Sequence, residues 1–97
     1  MEKILNNLGL CLRSGNLIIG EEPVVNAIRE GKVCYIFLAS DTGPNTKKKI
    51  LDKSQFYGVE VNNDFDTFSL SQALGKGNVK VIGLKTKGSN FIKILRK

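Results

Sequence analysis

Apolar residues recur at helical spacing near the start of the chain. The residues that form this stripe are Ile4, Leu5, Leu8 and Leu12. Steps of three and four positions place them on one face and predict an amphipathic helix over residues 2–13. Gly15 follows a cation at Arg13, a combination typical of a helix end. The short apolar segment 17–19 then predicts a first strand.

A second helix is predicted to begin at Gly20-Glu21-Glu22-Pro23 and to end at Gly31. Proline is tolerated in the first turn of a helix, and acids there complement the positive end of the helix dipole. The continuous apolar run 33–39 follows, with β-branched and aromatic side chains. Such a run predicts a strand that is covered on both faces.

The rest of the chain continues this alternation of helices and strands. Turn-forming residues fill 40–46, and a basic helix with Ile50 and Leu51 as inner residues extends to Gly58. The later predictions are a strand at 59–61, a helix marked by Phe68, Leu70, Ala73 and Leu74, a turn at 75–78, a strand at 79–84 and a last helix around 91–95. Alternating strands and helices predict an α/β fold, a three-layer α/β/α sandwich that spans residues 1–97 as a single domain.

Catalytic and metal-binding residue combinations are scarce in this sequence. The chain has no histidine, which removes the commonest general base and any Cys/His zinc site. Cys11 and Cys34 lie in apolar segments and are interpreted as reduced core thiols. Two acidic pairs, Glu21-Glu22 and Asp64/Asp66, can serve acid–base chemistry or magnesium, but helix capping explains both. We therefore expect no enzyme activity, no cofactor and no metal.

Charge is distributed unevenly along the chain. The net charge is +6, and residues 43–97 hold eleven cationic against four acidic side chains. Such a field attracts polyanions and accelerates their capture. The alternative is a charged surface that only keeps the protein soluble.

The candidate binding surface combines Arg13, the loop 40–46, the lysines 47–49 and the turn 75–78. Helix starts near residues 22 and 45 offer free backbone amides to phosphate groups. For the lysines, the alternative is a solvated helix face with Lys48 and Asp52 as an i,i+4 ion pair. The Gly75-Lys76-Gly77 turn lacks the remainder of a nucleotide-binding P-loop.

Several segments, in order, carry a family resemblance. They are LGLCLRSGNLIIGEEPVVNAIREG, YIFLASD, NTKKK and LSQALGK. Together they resemble the bacterial YlxQ-type proteins of the ribosomal protein superfamily that binds kink-turn RNA (the L-seven-Ae and L-thirty-e relatives). The resemblance extends from Leu5 to Leu95 and implies a four-stranded mixed sheet.

The resemblance also implies where RNA would bind. In the family, the segment matching Gly20 to Asn26 enters the RNA groove. The two positions that recognise sheared guanines hold Glu22 and Pro23 here, and the position of a supporting lysine one turn later holds Asn26. The other family elements match Asp41 to Lys47 and Lys76 to Val79. The expected RNA-binding residues are Arg13, Gly20, Glu21, Glu22, Asn26, Asp41, Asn45, Lys47, Lys48, Lys76, Asn78 and Val79.

The sequence therefore predicts a non-catalytic protein that binds structured RNA, such as ribosomal or kink-turn-like RNA. We expect a cytoplasmic monomer without a small-molecule substrate and without membrane contact, since no apolar run approaches the length of a membrane span. The alternative is a protein-interaction module that has lost kink-turn recognition, because Glu21, Glu22 and Pro23 would repel phosphate or fail to bind guanine.

Overall fold

Helices and strands alternate in the predicted order in the computed structural model, which describes residues 2–86, with side chains from Ile4 onward. The elements are α1 (Glu2–Arg13), β1 (Leu17–Ile19), α2 (Glu21–Arg29), β2 (Val33–Leu38), α3 (Pro44–Tyr57), β3 (Glu60–Asn62), α4 (Thr67–Leu74) and β4 (Val81–Lys85). The helix predicted around 91–95 lies outside the described residues.

The four strands form one mixed sheet in the order β1-β4-β2-β3, which confirms the predicted fold class. β4 is antiparallel to both β1 and β2, whereas β2 and β3 are parallel. Ile82 at the start of β4 pairs with Ile19 at the end of β1, and its neighbour Val81 pairs with Leu38 at the end of β2. Strands β1, β2 and β3 thus finish at the end of the sheet where β4 begins, which we call the loop end.

Two apolar layers hold the helices against the sheet. α1 and α4 cover one face, where Leu8, Phe37 and Leu70 belong to one buried cluster. α2 and α3 cover the other face, where Ile28 and Ile50 belong to a second cluster. Successive side chains of a strand point to opposite faces, so the apolar run of β2 supplies both clusters. The three-layer sandwich follows directly from this arrangement.

Two apolar side chains lie outside the positions expected for them. Leu51 was expected inside α3, but it is 39% exposed, while Ile50 is fully buried. Ser54, one turn after Ile50, takes the second inner position. In α4 the buried positions are Leu70 and Leu74, and Phe68 is 70% exposed.

Capping residues mark the start of α4 and the end of α3, as the sequence indicates. Asp66 caps α4, since its carboxylate accepts a hydrogen bond from the Ser69 amide at 2.8 Å. Gly58 ends α3 in the left-handed region at φ 72°, a conformation that glycine adopts without steric cost. The capping interpretation of Asp66 is confirmed.

Two further properties concern the thiols and the membrane question. Cys11 and Cys34 are half-buried and are not joined in a disulfide, and burial raises the pKa of the Cys11 thiol. Between Glu2 and Thr86, no helix combines the length and the apolar character that a membrane crossing requires.

Candidate nucleic-acid interface

Three connecting segments meet at the loop end of the sheet: the β1–α2 junction, the β2–α3 loop and the α4–β4 loop. The Gly20 amide donates a hydrogen bond to the Val81 carbonyl at 2.9 Å, and the Ala39 amide donates one to the Lys80 carbonyl at 2.8 Å. The start of β4 therefore joins the other two segments through backbone bonds. The three loops are neighbours, as the sequence predicts.

The start of α2 presents backbone donors at this end. Gly20 is its N-cap residue at φ 110°, and no side chain caps the helix. The Glu21 and Glu22 amides have no acceptor within the helix, because the first turn of any helix leaves its amides unsatisfied. Pro23 has no amide hydrogen. Two donors at the positive end of a nine-residue helix thus remain for an anion.

The acidic pair at the start of α2 is bound to α3. Thr46 Oγ1 donates to Glu21 Oε1 at 2.5 Å, and Lys49 Nζ donates to Glu21 Oε2 at 3.2 Å and to Glu22 Oε1 at 3.0 Å. The Thr46 hydroxyl and then Lys49 lower the pKa of Glu21, while Glu22 and Glu21 raise the pKa of Lys49. Glu21 and Glu22 therefore do not cap their own helix. They join α2 to α3, and Lys49 offsets part of their charge.

Asp41 connects the β2–α3 loop to α4. Its Oδ1 accepts hydrogen bonds from the Thr67 backbone amide at 2.9 Å and from Thr67 Oγ1 at 2.7 Å. These bonds lower the pKa of Asp41, and the nearby charge of Lys80 adds to the effect. Asp41 thus holds the loop in place while its side chain stays exposed.

Exposed cations and amides surround this junction. At the start of α3, Gly43 is the N-cap residue without a side-chain cap and the first turn has no acidic residue. Lys48 and Asn45 are exposed there, and Lys47 is half-buried. No ion pair joins Lys48 to Asp52, although the structure describes both side chains, so the i,i+4 alternative is not supported.

The α4–β4 loop adds further polar groups. Lys76 and Asn78 are exposed, and Asn78 has a positive φ of 59°, which asparagine tolerates better than most residues. Lys80 is a further exposed cation at the loop end, and it was not among the residues predicted to bind RNA. It is the one charged residue in the apolar run 79–84, and this pattern could have indicated a cation exposed at the start of the strand.

Two expected interface residues lie elsewhere. Arg13 ends α1 before β1 begins, whereas Gly20 follows β1, so the two residues flank opposite ends of that strand. Val79 is 2% exposed and belongs to the core cluster under α1 and α4. Neither side chain belongs to the candidate interface. Asn26 is exposed on the second turn of α2, behind the loop end.

The fold and the site together define a small α/β/α binding protein whose loops gather cations and helix-start amides at one end. The chain is 40% identical over 87 residues to the RNA-binding protein YlxQ of Enterococcus faecium, covering 90% of this chain and 84% of that protein. It is 30% identical over 81 residues to the RNA-binding protein YlxQ of Bacillus subtilis (strain 168), covering 84% and 81%. The chain belongs to the YlxQ family, which confirms the predicted resemblance.

Solved structures share this fold. A protein of unknown function from Bacillus halodurans C shares 38% identity, covers 98% of each chain and superposes with a TM-score of 0.88. The 15.5 kD RNA-binding protein of Giardia lamblia shares 17% identity, with 95% of this chain and 78% of that chain covered at a TM-score of 0.74. The second likeness shows a common fold. No protein-family model matches the chain.

Proposed function

We propose that this chain is a non-catalytic RNA-binding protein that grips structured RNA at the loop end of its sheet. One observation carries the proposal: three loops that bear cations and unsatisfied helix-start amides are joined by backbone hydrogen bonds into one surface. The YlxQ relatives from Enterococcus faecium and Bacillus subtilis are both named RNA-binding proteins, which supports it.

Each group at the loop end has a distinct part in this proposal. Lys47, Lys48, Lys76 and Lys80 attract phosphates and give a salt-sensitive affinity. The amides at the start of α2 hydrogen-bond to a phosphate or a base edge and fix its position. Asn45 and Asn78 are exposed, and each offers both a donor and an acceptor. Backbone contacts position the RNA, and the asparagines add geometric selectivity.

The acidic pair at the start of α2 does not prevent RNA from approaching. Lys49 binds both carboxylates, so the field of Glu21 and Glu22 is partly offset where the RNA would lie. Glu22 remains well exposed and can accept hydrogen bonds from base amino groups. Structured RNA with unpaired or sheared bases, including kink-turn-like and ribosomal RNA, is therefore our proposed ligand class.

We extend the proposal to the setting in which the protein works. It acts in the cytoplasm, as a monomer, and without catalysis. The names of its relatives support a binding role. Light scattering coupled to size-exclusion chromatography tests the monomer, with a mass near the 10.7 kDa of one chain as the expected result.

A protein-interaction module is the second candidate. Phe56 is 80% exposed and Tyr57 is 45% exposed, and their rings lie 4.9 Å apart in an edge-on arrangement at the C-terminal end of α3. Aromatic side chains at a surface favour protein contacts. A pulldown from nuclease-treated lysate separates the two candidates. Recovery of the same partner after treatment favours the module, and loss of all partners favours RNA.

The direct test is a binding titration in which fluorescence anisotropy reports the bound fraction of the RNA. The ligands are a labelled RNA with a kink-turn and a plain duplex of equal length. We expect a dissociation constant of about micromolar or tighter for the structured RNA, weakening by at least about tenfold between 50 and 200 mM salt. Absence of binding, or an affinity that does not respond to salt, would refute the proposal.

A further inference from the structure

The exposed ring of Phe68 is not explained by the core. Phe68 is the second residue of α4 and is 70% exposed, whereas Leu70 and Leu74 of the same helix are buried. A large apolar side chain at this position loses the free-energy benefit of burial. The exposed position of this ring therefore indicates a role other than stabilising the core.

Phe68 lines a shallow hollow of about 400 Å³ on the outer face of α4. Its lining residues are Phe68, Ser71, Gln72, Gly75 and Lys76. Their spacing of three, four and seven positions from Phe68 places the helical ones on one face. Gly75 ends the helix at φ 66°, and nothing lies within 4 Å of the place where a Cβ would be. The result is an open, mainly apolar floor with a cation at its rim, and none of the lining residues that the structure describes is acidic.

The hollow adjoins the loop end of the sheet. Thr67, next to Phe68, is bound to Asp41 through its amide and its hydroxyl. On the other side, the Lys76 amide donates to the Ser71 carbonyl at 3.0 Å, and the Val79 amide donates to Ser71 Oγ at 2.8 Å. These bonds fix the α4–β4 loop to the same helix. The hollow therefore adjoins two of the segments that meet at the loop end, the β2–α3 loop and the α4–β4 loop.

We propose that the Phe68 ring is a stacking platform for one unpaired nucleobase of the RNA. The inference rests on the proposed function and adds a subsite to it. Every base has a π face, so a ring at the surface binds unstacked bases with little sequence preference. Lys76 holds the neighbouring phosphate, and the exposed Gln72 amide hydrogen-bonds to the base edge.

The chemistry of the hollow favours a nucleotide over a protein segment. Among the described residues it has a single large apolar side chain, whereas the core of a protein interface needs a contiguous apolar patch. A nucleotide needs one flat apolar contact and one cation, and the hollow supplies both. Loss of a stacked base reduces affinity by about fivefold to a hundredfold.

The test uses the absence of tryptophan from the sequence. A Phe68→Trp variant carries a single indole fluorophore whose emission is quenched when a base stacks on it. Phe56→Trp is the matched control, because Phe56 is also exposed but lies about 18 Å along α3 from the loop end. We expect a hairpin RNA with unpaired loop bases to quench the Phe68→Trp variant saturably, at the concentrations at which anisotropy reports binding. The emission of the Phe56→Trp variant should not respond.

A blunt duplex and two further variants complete the experiment. The duplex should raise the anisotropy without quenching the indole of the Phe68→Trp variant. Phe68→Ala should weaken hairpin binding by at least about fivefold while Phe68→Tyr retains it. If the hairpin binds but this indole does not respond and Phe68→Ala binds normally, the stacking subsite is wrong and the proposed function stands. If no RNA binds to the wild-type chain, the proposed function itself fails and the subsite fails with it.

Discussion

Replacing Lys47 and Lys48 with alanine should reduce both the affinity for RNA and its dependence on salt. Each lysine that contacts a phosphate contributes about 0.9 to the slope of log affinity against log salt, so two contacts contribute about 1.8. Because these contacts vanish near 1 M salt, the pair accounts for about thirtyfold in affinity at 0.15 M and about two-hundredfold at 0.05 M. Lys49 is left in place, since it binds Glu21 and Glu22.

The assay is an anisotropy titration at five salt concentrations, with circular dichroism to confirm that the variant folds. Arg13→Ala is the matched control, because Arg13 is exposed and lies before β1, away from the loop end. It should leave the slope unchanged. Lys48 and Arg13 are exposed and Lys47 is half-buried, and surface charges contribute little to stability, so unfolding should hardly change in either protein. Equal slopes for the wild type and the double variant, or a larger effect from Arg13→Ala, would refute the placement of the interface.

Three further predictions concern stability. Ile50→Ala should lower the free energy of unfolding in urea by about 2–5 kcal/mol, since Ile50 is fully buried. Leu51→Ala should lower it by about 1 kcal/mol or less, since Leu51 is partly exposed. Equal losses would show that α3 does not turn Ile50 inward and Leu51 outward. Asp66→Ala should lower the free energy of unfolding by about 1 kcal/mol in the same assay, because α4 loses its N-cap, and Asp66→Asn should retain most of that stability. Equal stability of the wild type and Asp66→Ala would contradict a stabilising role of the cap. The Glu21 pKa is lowered from 4.5 and the Lys49 pKa is raised from 10.5, so their stabilisation should hold between these values, fall as pH drops below 4.5 and fall as pH rises above 10.5. In thermal melts recorded across this pH range, a Lys49→Met variant should no longer lose stability above pH 10.5. A stability profile equal to that of the wild type would count against the ion pair.

The fold was predictable because local signals agree with one another along the chain. Apolar stripes, helix ends at glycine and a proline in the first turn placed most elements within a few residues. The mixed sheet came from the family resemblance, since no local pattern reveals that β4 lies between β1 and β2. That insertion is what brings the α4–β4 loop beside Gly20.

The site was predictable only in part, for separate reasons. The sequence already indicates that Arg13 lies away from Gly20, because a residue before a strand and one after it lie at opposite ends of that strand. The role of Lys49 was not, since which of three adjacent lysines turns toward Glu21 depends on how α2 packs against α3. Phe68 gave a signal that went unused: it is two positions before Leu70, which places it on the opposite side of a helix.

The central position of β4 has a consequence for synthesis of the chain. β4 is the last strand in sequence among residues 2–86, yet it alone hydrogen-bonds to both β1 and β2. Until residue 85 has been synthesised and has left the ribosomal exit tunnel, β1 of the nascent chain has no hydrogen-bonded neighbour and one edge of β2 is open. We therefore expect folding to be completed late in translation, and products that stop before Val81 to be substrates for proteases.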